Sequence, residues 1–122
     1  GLSGAAVLMQ RVMELDDTFY HGGVYLFFGV YYGGRSPMFG GDFARAEQNF
    51  QRAAAINDNR LLMVDLLWAE FLHRQQLDRL AFHTRLVSIV DAPDDLYPEM
   101  ALVNAIAKQR AARLLTLEDE WF

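Results

Sequence analysis

Cysteine is absent from the 122-residue chain. That excludes a disulfide framework, a thiolate zinc site and a thiol nucleophile, and it leaves the compartment open. Long apolar runs are absent too. The longest, Val24 to Tyr32, has nine residues and is broken by Gly29, against about 20 for a membrane-spanning helix. Positive charge is scarce: 11 Lys and Arg stand against 16 Asp and Glu, a net charge of −5. General nucleic-acid binders are usually basic, so nucleic acid is not an expected partner. No basic segment precedes the apolar stretch Ala5–Met9, so no signal peptide is legible. The chain opens on Gly1 and is expected to be the C-terminal part of a longer one.

Catalytic signatures are missing as well. There is no Gly-x-Ser-x-Gly, no phosphate-binding loop and no dinucleotide fingerprint. Ser3, Ser36 and Ser88 have no histidine at informative spacing. His21, His73 and His83 do not converge in sequence, and a metal site needs three or four donors. No catalytic residue, metal or cofactor is therefore expected. The acidic pairs Asp16-Asp17 and Asp94-Asp95 read as helix caps favoured by the helix dipole. Gly40-Gly41-Asp42-Phe43 shares its first three letters with a nucleotide-cyclase motif. The fourth position there is an acid that holds metal; here it is Phe43, and the segment reads as a turn followed by a helix cap.

What remains is helical. Hydrophobic residues make up 52% of the chain, enough for one domain over 1–122 with a core of its own. Period-2 alternation hardly occurs, while spacing of three and four is widespread. Six helices are expected, at about 2–15, 18–32, 43–56, 60–74, 78–90 and 98–117. Gly33-Gly34 stops the second and Asp42 caps the third. Asp58 or Asn59 caps the fourth, and Pro98 suits the first turn of the last. The terminal Trp121-Phe122 is expected to fold back on the domain. Short connections imply antiparallel neighbours.

The hairpins repeat. Tyr25-x2-Phe28-Gly29-x2-Tyr32 fits the first helix of a tetratricopeptide unit, and Ala46-x3-Phe50-x2-Ala53 fits the second. The second pattern recurs as Ala81-x3-Arg85-x2-Ser88 and as Ala5-x3-Met9-x2-Val12. The intervals are 41 and 35 residues (46 − 5 and 81 − 46), with the surplus in the loop Arg35–Gly41. Small residues let helices approach and aromatics fill the gaps. The fold class is thus all-α, a tetratricopeptide-like solenoid of helical hairpins. Tyr25, Phe28, Tyr32, Trp68 and Phe71 are assigned to the core.

Two further segments are more specific than a repeat: Gly40–Phe50, with its GGD-x3-A-x3-F spacing, and Leu102–Leu115, with L-x-N-A-x-A-x2-R-A. Together with Gly22-Gly23, Tyr25–Tyr32 and the acidic-aromatic end Glu118–Phe122, they resemble the T-component of TRAP transporters. This family consists of bacterial periplasmic lipoproteins built from degenerate tetratricopeptide hairpins. The resemblance implies a non-enzymatic protein that binds a periplasmic solute-binding protein feeding a TRAP-type importer. It also implies trimers with a cleft that passes a small apolar ligand, and a lipid anchor at an N-terminal cysteine that this sequence does not contain.

In such solenoids the first helix of each hairpin lines the concave face. The pattern places Leu26, Val30 and Gly33 there from the second helix, Asp65, Ala69 and Leu72 from the fourth, and Met100, Asn104 and Ala107 from the last. No basic residue occupies these nine positions. The groove is expected to take an apolar ligand or helix rather than an acidic peptide tail. Leu26, Val30, Ala69, Leu72 and Met100 would be its apolar lining, and Asp65 and Asn104 its polar anchors. Asn104 has a second reading, as a side chain that ties down loop backbone near Gly40–Asp42, because a buried amide must find partners. The alternative function is a general tetratricopeptide adaptor for a partner helix or peptide.

Overall fold

The structure, a computed structural model, describes residues 19–122. The helix expected at 2–15 and the repeat at Ala5–Val12 lie outside the described residues. Within them the chain is all-helical, and its helices pair as hairpins. Helix α1 is Phe19–Gly33 and α2 is Phe43–Ile56. Helix α3, Leu62–Leu67, runs directly into π-helical turns at Trp68–His73. Helix α4 is Arg79–Asp91, α5 is Ala101–Thr116, and a single turn α6 is Glu118–Trp121. Short 3-10 turns occupy Pro37–Phe39 and Pro98–Met100.

The caps fix the repeat length. The Asp42 carboxylate accepts the Arg45 N–H at 3.0 Å, and the Asp78 carboxylate accepts the Ala81 N–H at 3.0 Å. These two N-caps are 36 positions apart (78 − 42). Counting four residues on from each cap gives Ala46 and Phe82, and the same 4-then-3 spacing continues to Phe50 and Ala53 and to Leu86 and Ile89. All six are fully buried. The recurrence read at Ala81, Arg85 and Ser88 is therefore one residue out of register: the buried stripe of α4 is Phe82, Leu86 and Ile89. Asp58 and Asn59 do not cap α3 either. Both have positive φ, at 53° and 57°, and they shape the turn between hairpins.

Two layers result. Helices α1, α3 with its π-helical turns, and α5 lie side by side, each against the next. Helix α2 packs on α1, and α4 packs on the π-helical turns and on α5. One core cluster joins Tyr25, Ala46, Phe50, Ala53, Val64, Trp68 and Leu72. A second joins Leu62, Leu66, Ala69, Phe82, Leu86, Ile89, Ala107, Ala111 and Leu114. The expected core aromatics divide: Tyr25, Phe28 and Trp68 are buried, Tyr32 and Phe71 half-buried. Gly29 has a packing reason. A Cβ built on it would lie 2.9 Å from three carbons of the Phe50 ring, so that ring rests directly on the α1 backbone. The tail does fold back. Trp121 and Phe122 pack on Phe82, with ring centroids 5.9 and 5.0 Å away, and the Arg74 guanidinium lies 3.4 Å above the Trp121 ring.

Candidate functional site

The seven residues expected to line the inner face do not have equal access to it. Ala69 and Leu72 are fully buried, one in each core cluster. Leu26, Val30 and Met100 are half-buried and pack against the same cluster as Leu72. Of the further half-buried apolar residues on that cluster, Met63, Leu67 and Val103 lie on the same three segments. Leu26, Met63 and Met100 are spaced by 37 and 37 residues (63 − 26 and 100 − 63), and Val30 and Leu67 by 37 (67 − 30). So each of the three side-by-side segments contributes a half-open apolar pair: Leu26 and Val30, Met63 and Leu67, Met100 and Val103. The pair in α3 lies two residues before Asp65 and Ala69. A scan for apolar residues at the 37-residue interval finds it.

Asn104 is the most constrained of the seven. Its Oδ1 accepts the Leu62 N–H at 2.9 Å and its Nδ2 donates to the Arg60 carbonyl at 2.9 Å. Leu62 is the first residue of α3, and no side chain of its own segment caps that helix. Asn104 therefore acts as an N-cap supplied from another helix, meeting a donor that would otherwise be orphaned. The loop it ties down is Arg60–Leu62, not Gly40–Asp42.

Asp65 belongs to a polar cluster between α3, the π-helical turns and α4. Its carboxylate accepts from Arg85 Nη1 at 2.8 Å. Arg85 Nε donates to His73 Nε2 at 3.1 Å, and the guanidinium carbon stands 3.7 Å over the Trp68 ring. The Trp68 indole donates to Glu47 of α2 at 3.1 Å and stacks on Phe50. His73 Nδ1 faces Gln76 Oε1 at 3.2 Å. Because Nε2 accepts from a guanidinium, the ring is the neutral Nδ1–H tautomer. A cavity of about 300 Å³ lined by His73, Ala81, Thr84, Arg85 and Ser88 opens beside this cluster. Among the described residues no group of three or more His, Asp or Glu converges to hold a metal ion.

The cluster predicts a pH dependence. Burial holds the His73 imidazole below its ordinary 6.5, with Arg85 adding to the effect and Gln76, Glu47 and Asp78 opposing it. The unfolded chain then binds the extra proton first, so stability falls as pH drops below about 6.5. Burial also raises the Asp65 carboxyl above its ordinary 3.8, although Arg85 pulls it back. That contribution has the opposite sign: it is complete below 3.8 and is lost as pH rises through the raised value. In urea denaturation from pH 4 to 7.5, His73→Gln should flatten the upper part of the profile. Asp65→Asn should remove the opposing slope at the acid end. A profile unchanged by His73→Gln would show that another group carries the upper slope.

The exposed cations are mostly matched. Lys108 pairs with Asp94 and donates to the Ala92 carbonyl, and Arg110 pairs with Glu70, which ties α5 to the π-helical turns. Arg79 and His83 meet on Glu118.

Residues 1–122 match the family described as TRAP transporter T-component. No curated protein matches the chain significantly.

Proposed function

Since the chain belongs to the TRAP transporter T-component family, we propose that it is a non-enzymatic scaffold and ligand relay for a TRAP-type importer. The family is a transport-associated accessory one and not a known enzyme family. The T-component is an extracytoplasmic part of the transporter. Among the described residues no helix is long and apolar enough to cross a membrane.

In this reading the layer of α1, α3 and α5 binds a periplasmic solute-binding protein and receives a small apolar ligand. One observation carries it: half-open apolar residues recur at 37-residue intervals on all three segments, at Leu26, Met63 and Met100, with a second one a turn further on in each, at Val30, Leu67 and Val103. A row of this kind is what a concave binding face needs, and isolated surface apolar residues do not produce it. Leu26, Val30 and Met100 belong to the row with Met63, Leu67 and Val103. Ala69 and Leu72 form its floor, and Asp65 and Asn104 hold α3 in place beneath it. Periplasmic placement through a lipid anchor and assembly as a homotrimer belong to the same proposal, supported by the family alone. The family assignment favours this reading over a general adaptor.

Titration calorimetry of the full-length protein with the solute-binding protein of the same importer tests it. Met63→Ser combined with Met100→Ser should weaken binding at least fivefold, the scale of one or two lost apolar contacts. Gln48→Ala, on the outer face of α2, should leave it unchanged. Equal affinity in the double variant would remove the row from the interface.

A further inference from the structure

Trp68 and His73 are the first and last residues of the π-helical turns, five positions apart. In an α-helix, at about 100° per residue, side chains five apart point about 140° away from each other. Here the two rings lie face to face, with centroids 6.2 Å apart and planes inclined by 24°. The winding explains this. The Arg74 N–H donates to the Ala69 carbonyl, a bond that spans five residues instead of four. Each such turn takes in one more residue, which brings positions five apart onto one face. One side chain from another helix closes over that face. The Arg85 guanidinium of α4 stands 3.7 Å over the Trp68 ring, donates from Nε to His73 Nε2 and donates from Nη1 to Asp65. It touches both ends of the π-helical segment at once, and the ring pair that it grips exists only in this winding. π-Helical turns are rare, a sign that the winding needs support from outside itself.

The grip depends on the charge of His73. Its Nε2 accepts from Arg85 only while that nitrogen carries no proton. Protonation turns it into a donor and sets two cations 3.1 Å apart, in a place where screening is weak. His73 is buried, so water does not take over the lost bond. The charged groups that act on the ring are Arg85 and Asp78 from α4 and its cap, and Glu47 from α2. Asp65 of α3 meets Arg85 rather than the imidazole, and Gln76 already faces Nδ1. Among the described residues no acid is hydrogen-bonded to the ring. The guanidinium also has room to leave. The cavity of about 300 Å³ beside it is lined by Arg85 itself, with Thr84 and Ser88.

We propose that His73 and Arg85 form a proton-operated catch on the π-helical turns. Neutral His73 keeps the catch shut. When Nε2 takes a proton from solvent, the guanidinium is driven toward the cavity. The turns then rewind as α-helix and pass their extra residue into the connection 74–78. Burial, which holds the imidazole below its ordinary 6.5, places the range of operation on the acid side of that value. The change reaches the inner layer, because Glu70 lies within the turns and pairs with Arg110 of α5. The catch needs no bound partner and does not depend on the function proposed above.

Hydrogen exchange read by mass spectrometry on the full-length protein tests the catch, at pH 7.5 and pH 5.0 without denaturant and with rates corrected for the intrinsic effect of pH. Amides 69–76 should lose protection at least fivefold at pH 5.0, while those of α2 keep theirs. His73→Gln stays neutral and still offers Arg85 an acceptor, so its protection should be the same at both pH values. Arg85→Lys keeps a cation for Asp65 but cannot bridge Trp68 and His73, so its amides 69–76 should be poorly protected already at pH 7.5. Equal protection at the two pH values in the unsubstituted protein overturns the catch. A loss that persists in His73→Gln assigns the effect to Asp65 or another acid and does the same. Loss of protection in all helices together is global unfolding, which also overturns it. Full protection in Arg85→Lys at pH 7.5 removes Arg85 from the role.

Discussion

Phe50→Ala should lower the free energy of unfolding by about 4 kcal/mol, the middle of the range for removing a buried aromatic. Phe50 has no solvent exposure. Its neighbours cannot move in to fill the space it would leave. Gly29 faces the ring with no side chain at all, and Ala46 and Ala53 on its own helix are already small. Trp68 stacks on the opposite side, with ring centroids 5.5 Å apart and planes within 10°. That stack also holds the indole toward Glu47 and under Arg85, so loss of the ring loosens the polar cluster too. Urea denaturation followed by tryptophan fluorescence reads the effect. Phe50→Leu, which keeps part of the volume, should cost clearly less. Gly29→Ala alone should destabilise by about 1–3 kcal/mol through overpacking. In the Phe50→Ala background the same substitution should be neutral or stabilising, a strong departure from additivity between touching sites. A loss below about 2 kcal/mol for Phe50→Ala would mean that the hairpins close over the gap.

That packing was legible in the sequence because it is written in short spacings. Gly29 sits between Phe28 and Tyr32 at the place where a tetratricopeptide unit needs a small residue. Ala46, Phe50 and Ala53 repeat the logic on the partner helix. The bounds of α2 were legible for a similar reason: Gly40-Gly41 breaks the chain, and Asp42 caps within three residues of where it stands. The register of α4 failed by one residue because Ala81 is small and apolar and so satisfies the pattern. What sets the buried stripe is its distance from the cap at Asp78, and that distance points to Phe82.

The inner face of α3 failed for a different reason. Asp65 and Ala69 lie two residues past Met63 and Leu67, the places that recurrence at 37 residues from Leu26 and Val30 gives, so the register on this segment is off by two before the π-helical turns begin at Trp68. Ala69 and Leu72 face the two cores instead. Helical periodicity alone does not fix the register here, because Leu61 to Val64 and Leu66 to Ala69 are all apolar. Recurrence at 37 residues does, because it compares like positions in successive hairpins.

The local signals for a cap on α3, Asp58 and Asn59, shape the turn instead, and the cap comes from a residue 42 positions on. Asn104→Ala should destabilise by about 3 kcal/mol, more than an ordinary N-cap loss of about 1 kcal/mol. The difference lies in what is left behind. Asn104 is 4% exposed, and its amide serves two buried backbone groups at once, the Leu62 N–H and the Arg60 carbonyl. Truncation strands both, and each stranded group costs about 1–3 kcal/mol unless water reaches it. Asn104→Asp separates the two contributions. It keeps an acceptor for the Leu62 N–H and loses the donor to Arg60, while placing a carboxylate in a buried position. Its stability should therefore fall with rising pH as that carboxyl ionises, whereas the deficit of Asn104→Ala should be flat with pH. Hydrogen exchange at Leu62 gives the local readout: its amide should lose protection in Asn104→Ala and retain it in Asn104→Asp at acid pH. Retained protection in the alanine variant would mean that another group caps α3.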